Sequence, residues 1–120
     1  MGVIVAIVDD DEPVRRALRR LLLSLSYQPI IFASGEEFLA SLRHASPSCA
    51  VVDLHMPGLK GLDVLLRIRS EGLRIPVIIV TGLDQSGMRV KCMAAGASGY
   101  LVKPIERSEM ASAIEAAIGV

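Results

Sequence analysis

Short runs of apolar, mostly β-branched residues alternate along this chain with longer stretches whose apolar positions recur at helical spacing. The runs are Val3 to Val8, Ile30 to Ala33, Cys49 to Val52, Val77 to Val80 and Gly99 to Val102. Being apolar on both faces, they predict strands covered by helices on two sides, as in a parallel sheet. The clearest helical stretch places Val14, Leu18, Leu21, Leu22 and Leu25 on one face and Arg15, Arg16, Arg19 and Arg20 on the other. Pro13 falls in its first turn, where a missing N–H is harmless, and Asp11 or Glu12 suits the positive helix end.

A second helix is expected to open at Ser34-Gly35-Glu36-Glu37, a capping-box pattern, and to bury Phe38, Leu39 and Leu42. A third presents Leu62, Leu65 and Leu66, with Gly72 as its stop. The fourth, over about Gln85 to Ala95, is weakly specified because Ser86-Gly87 interrupts its start. The last carries Met110, Ile114, Ala117 and Ile118 on one face. Five strands alternating with five helices predict an α/β fold, a doubly wound sheet of five parallel strands with helices on both faces.

The polar residues with chemistry to offer stand where these strands end. Asp9 and Asp10 follow the first, Asp53 the third, Thr81 the fourth and Lys103 the fifth. Ligands of doubly wound sheets bind outside the carboxyl ends of the strands, where the strand order reverses. In the flavodoxin-like order 2-1-3-4-5, strands one and three are neighbours there, so Asp9, Asp10 and Asp53 share one crevice. Three carboxylates together repel one another and demand a cation, and their hard oxygens suit Mg²⁺, with Mn²⁺ as a substitute. Lys103 then supplies a fixed positive charge, Thr81 a hydroxyl donor and Asp53 a nucleophile. A phosphoryl group fits this set, because its oxygens need cation, lysine and hydroxyl partners at once.

The segments Val8-Asp9-Asp10, Asp53-Leu54-His55-Met56-Pro57-Gly58, Thr81-Gly82 and Ala95 to Pro104 resemble the receiver domain of two-component response regulators. The resemblance spans essentially the whole chain, residues 1–120, as one domain. Val8 to Arg15 together with Thr81-Gly82 is most similar to the branch that includes the nitrogen-fixation regulator FixJ. It implies that Asp53 takes a phosphoryl group from a sensor histidine kinase. It implies further that Asp10, Asp53 and the backbone carbonyl of His55 ligate Mg²⁺, with Asp9 acting through metal-bound water. Thr81 and Lys103 would contact phosphoryl oxygens, and Tyr100 would be the rotameric switch, turning inward as Thr81 moves. The Lys103-Pro104 peptide would be cis. His55 and Leu83 would tune the lifetime of the phosphoryl group. The surface of the fourth helix, fifth strand and fifth helix would dimerise or meet an effector domain such as a transcriptional regulator, and the arginine face of the first helix is either a solvated stripe or a kinase-docking surface. A single-domain phosphorelay shuttle is the alternative output.

Composition narrows the picture further. Net charge is zero, which argues against direct nucleic-acid binding through phosphate neutralisation. Hydrophobic residues make up 52% of the chain, yet the longest apolar run, Val3 to Val8, is far short of a membrane span. No basic region precedes the first strand-like run, so no signal peptide is expected. Cys49 and Cys92 are expected to be free thiols of a cytoplasmic domain. A haloacid-dehalogenase-like Mg²⁺-dependent phosphatase would want a second acid two positions after Asp53, where His55 stands. A nucleotide-binding module would want a Gly- or Ser/Thr-rich loop where this chain has acids. The expectation is therefore a protein that phosphorylates and dephosphorylates itself and is not otherwise an enzyme.

Overall fold

The computed structural model describes residues 2–119. Five strands and five helices alternate: β1 (Ile4–Val8), α1 (Glu12–Ser24), β2 (Gln28–Phe32), α2 (Gly35–Ser41), β3 (Cys49–Asp53), α3 (Gly61–Ser70), β4 (Val77–Thr81), α4 (Met88–Ala94), β5 (Gly99–Val102) and α5 (Arg107–Ile118). All strand pairs are parallel, in the order β2-β1-β3-β4-β5. The expected architecture and strand order are both present.

Alternate residues of the inner strands β1, β3 and β4 feed two separate cores, whereas the edge strand β2 is not covered on both faces as expected, with Ile30 46% and Ile31 47% exposed. Ala6, Val8, Ala50, Val52, Val77 and Ile79 meet Phe38 of α2, Val64, Leu65 and Ile68 of α3 and Cys92 of α4. Val5, Ile7, Cys49, Val51, Ile78 and Val80 meet Leu18 and Leu22 of α1 and Met110 and Ile114 of α5. The central strands β3 and β4 are buried at every position, as a strand covered on both faces must be. Cys49 and Cys92 lie in opposite cores and are both free. Burial raises both thiols, Cys49 to about 12, so both are inert packing groups.

Local chemistry accounts for most helix ends. The Asp11 carboxylate accepts from the Val14 N–H at 3.2 Å, and Pro13 sits inside the first turn of α1. The Ser34 hydroxyl accepts from the Glu37 N–H at 3.1 Å, one half of the expected box. Phe38 is fully buried, whereas Leu39 and Leu42 are only partly so. In α3 the buried stripe is Val64, Leu65 and Ile68, and the expected core residue Leu66 is 49% exposed. A one-residue error in helical phase moves a side chain by about 100°, enough to carry Leu66 from core to solvent. Gly72, with φ of 76°, ends the turn after α3 as anticipated. The fourth helix begins at Met88 rather than near Gln85, because Gly87 takes the left-handed conformation, φ 80°, at its N-cap.

Candidate functional site

Two strand ends bring the three expected acids together. β1 and β3 are direct neighbours, with Val8 opposite Val52, so Asp9 and Asp53 emerge side by side. One carboxylate oxygen from each of Asp9, Asp10 and Asp53 lies within 4.8 Å of the others. Asp9 is 1% exposed and Asp53 5%, whereas Asp10 is exposed. Lys103 reaches across from the end of β5 and binds both buried acids: its Nζ donates to Asp9 Oδ2 at 3.1 Å and to Asp53 Oδ1 at 3.2 Å. The peptide that follows it, Lys103-Pro104, is the one cis bond among the described residues, as the resemblance implied.

Asp9 is fully committed. Its Oδ1 accepts the Asp11 N–H at 2.9 Å while Oδ2 holds Lys103. Asp53 spends only Oδ1 on Lys103, and among the described residues no donor meets its Oδ2. Burial and the Asp9 carboxylate push the Asp53 carboxyl above its ordinary value, Lys103 opposes them, and Asp10 adds to the rise. Burial would lower the Lys103 ammonium, but Asp53 and Asp9 outweigh it and hold it above its usual range. One ammonium thus faces three carboxylates. The excess negative charge and the free oxygen on Asp53 suit a hard divalent cation, so the donor set fits Mg²⁺.

Thr81 and Tyr100 stand on the α4 side of the sheet. Asp53 pairs in register with Val80, which puts Thr81 one residue beyond it on the next strand. The Thr81 side chain is fully buried, and its hydroxyl is turned onto its own loop: Oγ1 donates to the Leu83 carbonyl at 2.9 Å and accepts the Leu83 N–H at 3.0 Å. Tyr100 pairs with Ile79, two residues before Thr81, and so shares its face. Its ring is 3% exposed, within the α2–α3–α4 core, and the expected inward rotation therefore has no outward starting point here. The hydroxyl donates to Asp84 Oδ1 at 2.9 Å, and the Arg89 guanidinium lies over the ring, 4.8 Å from its centroid. Burial and the Asp84 carboxylate push the phenol up to about 12.

The two residues expected to tune lifetime, His55 and Leu83, are exposed at the rim, Leu83 at 60%. Three residues at or near the site, and a fourth, Arg69, at the opposite edge of the sheet, escaped sequence reasoning. Arg15, grouped with the solvated arginines, instead turns back and donates to the Asp9 carbonyl at 2.8 Å. Gly61 opens α3 directly against the Asp53 backbone, where a Cβ would lie 2.5 Å from the Asp53 carbonyl oxygen. Asp84 holds Tyr100, and Arg69 donates to the carbonyls of Leu73, Ile75 and Gly96, tying the turn after α3 to the turn after α4. Only Gly61 carried a visible signal, a glycine at a helix start shortly after the Pro57-Gly58 turn. The others depend on which distant backbone groups come within reach.

A family model described as the response regulator receiver domain matches residues 5–115. This chain belongs to that family. The receiver domain is 37% identical over 114 residues to Nodulation protein W of Bradyrhizobium diazoefficiens, covering 95% of this chain and 50% of that protein. It is 35% identical over 112 residues to the transcriptional regulatory protein FixJ of the same organism, covering 93% and 55%. The crystal structure of FixJ-N superposes with a TM-score of 0.91 at 34% identity, covering 99% of this chain and 95% of that one. The likeness to the FixJ branch therefore holds in both sequence and structure. A receiver domain of a sensor histidine kinase from Pseudomonas aeruginosa, with magnesium ion coordinated in its active site cleft, matches at a TM-score of 0.89 and 28% identity over the full length of both chains. The chain spans about half the length of the curated relatives it matches.

Proposed function

We propose that this receiver domain takes a phosphoryl group from a sensor histidine kinase onto Asp53. The observation that carries this reading is the Asp53 carboxylate itself: buried at the end of β3, held through Oδ1 by Lys103, with Oδ2 free. In an in-line displacement, a carboxylate oxygen of Asp53 forms a bond to phosphorus as the P–N bond of a phosphohistidine breaks. The electron pair leaves with the imidazole. Asp10, Asp53 and the His55 carbonyl would hold Mg²⁺, with Asp9 reaching it through water. When bound, the ion supplies positive charge that offsets repulsion between carboxylate and phosphoryl oxygens. That Asp9 already spends both oxygens on Lys103 and Asp11 supports its indirect role.

Lys103 pairs with a phosphoryl oxygen once the acyl phosphate on Asp53 has formed, and the Thr81 hydroxyl turns from Leu83 to donate to another. The new charge on Asp53 is thereby read on the α4 side of the sheet, through Thr81 and the buried Tyr100. The phosphorylated form self-associates or engages an effector domain through the surface of α4, β5 and α5, with a phosphorelay shuttle as the alternative output. The domain acts stoichiometrically, in the cytoplasm, and turns over no other substrate. No helix among the described residues is long and apolar enough to cross a membrane.

Incubation with Mg²⁺ and acetyl phosphate, read by intact mass, tests this. One phosphoryl group per chain is expected, absent without divalent cation and absent in Asp53→Asn. No labelling of the unmodified chain, or labelling that survives in Asp53→Asn, overturns the assignment.

A further inference from the structure

The sheet is longer than the helix that covers its β2 corner. α2 has 7 residues, so it spans about 10 Å, whereas β1 and β2 have 5 residues each and run about 17 Å. Near the acid end of the strands the Phe32 and Phe38 rings close the gap, their centroids 5.4 Å apart. Toward the other end Ala6 of β1, in register with Ile30 of β2, offers only a methyl group. A cavity of about 210 Å³ is left there. Ile4, Ala6, Ile30 and Phe32 line it from the sheet, and Phe38 and Ser41 from α2. Its mouth lies at Ala45 to Pro47, where Ala45 and Ser46 are exposed.

We propose that this cavity binds a small uncharged aromatic molecule, of one ring or two fused rings, with any polar group left at the Ser46 mouth. No charged residue lines it, so it has nothing to offer an anion or a cation. The Ser41 hydroxyl is committed to the Phe38 carbonyl at 2.6 Å, which leaves Ser46, at the exposed mouth, as the other hydroxyl of the lining. A water deep inside would want two or more polar partners, and apolar cavities without them stay dry and take apolar ligands; one of about 150 Å³ holds benzene. The space here fits a slightly larger ring system. Phe32 and Phe38 meet at 58°, so a third ring can pack edge-to-face against them. A helix or an extended segment needs a longer groove, whereas this recess has the size of one side chain. None of Asp9, Asp10, Asp53 and Lys103 lines it, so the site stands apart from the acid pocket.

Indole is the probe, because the chain has no tryptophan and added indole can be excited selectively. Titrating protein into indole should shift its emission to the blue and saturate, with half-saturation below about 1 mM, a range open to a ligand of so few atoms. Ala6→Leu fills the cavity from the sheet and Ala45→Leu from the mouth. Each should weaken binding by at least about tenfold, while thermal unfolding shows the fold intact. Should Ala6→Leu overpack against Phe38 and unfold, Ala45→Leu, at an exposed position, carries the test. Ala17→Leu, on the groove between α1 and Ile105, should leave binding unchanged. Indoleacetate, which adds a carboxylate, should bind at least about tenfold more weakly than indole. The proposal is overturned by an emission shift that never saturates, by binding undiminished in the folded, filled variants or lost in Ala17→Leu, and by equal binding of indoleacetate. Sedimentation showing a dimer that Ala45→Leu dissociates overturns it as well, because the mouth would then belong to a second copy.

Discussion

The acid pocket and the β4–α4 segment lie side by side and are built on opposite principles. At the pocket, Asp9 and Asp53 are buried, the Lys103 ammonium bridges them, and Gly61 brings the α3 backbone against the Asp53 carbonyl. Across β4, Gly82 to Gly87 is exposed throughout and ends in a left-handed glycine. The first region holds charge in a fixed geometry and is intolerant of change. The second can move because little of it is buried, and its position is decided by a few hydrogen bonds. A phosphoryl switch needs both: a rigid place where charge appears and a compliant segment that responds to it.

The contrast is most directly broken at Lys103. Replacement by Met leaves two buried carboxylates facing each other without their cation. Metal-free stability should fall by about 2 kcal/mol or more in urea unfolding, and acetyl phosphate labelling by at least about 100-fold. Added Mg²⁺ should recover part of the stability but little of the labelling, since the ion replaces charge and not the lysine's place on a phosphoryl oxygen. Equal loss with and without Mg²⁺ would argue against the electrostatic account.

Glycine substitutions separate the regions next. Gly61→Ala forces a methyl within 2.5 Å of the Asp53 carbonyl oxygen and 2.9 Å of the Leu54 Cα, both backbone atoms that cannot turn aside. A loss of about 2 kcal/mol is expected, with slower labelling because the Asp53 backbone shifts. Gly82→Ala meets nothing closer than the Lys103 Cδ at 4.0 Å, so its effect should stay within about 0.5 kcal/mol. Comparable losses at both positions would erase the distinction drawn here.

A smaller effect, of opposite sign, is expected at Asp53. Its carboxyl lies above the ordinary value of 3.8, raised first by burial and then by Asp9. The folded state therefore favours the protonated acid, and stability is lost as pH rises from 3.8 through the raised value. Asp53→Asn carries no such charge. Without divalent cation it should be more stable than the parent at neutral pH, with the gain vanishing below the ordinary carboxylate value. Thermal unfolding at several pH values in EDTA checks both the sign and the window.

Much of this molecule could be read along the chain, for reasons visible in particular residues. Runs such as Val77 to Val80 are apolar on both faces, which only a doubly covered strand explains. Placing Asp9, Asp53, Thr81 and Lys103 at strand ends was enough to bring them to one edge of a parallel sheet. Failures came where a fraction of a turn or a distant partner decides. Leu66 misses the core by one step of helical phase, and α4 starts three residues late because Gly87 turns left-handed. Arg15, Arg69 and Asp84 are ordinary polar residues in sequence, and their partners are Asp9, the turns after α3 and α4, and Tyr100.

What the sequence determined by itself is the alternation of elements, the two-faced burial of the central strands and the set of groups at the carboxyl ends. Local periodicity and chain direction settle these. The tertiary structure alone decided which oxygens stay free. The strand registers bring Lys103 onto one oxygen each of Asp9 and Asp53 and set Tyr100 on the face of Thr81, whereas the Asp9–Asp11 and Thr81–Leu83 bonds are local ones between residues two apart. Hydrogen bonds form over about 3 Å, and that precision comes from packing, not from the order of residues.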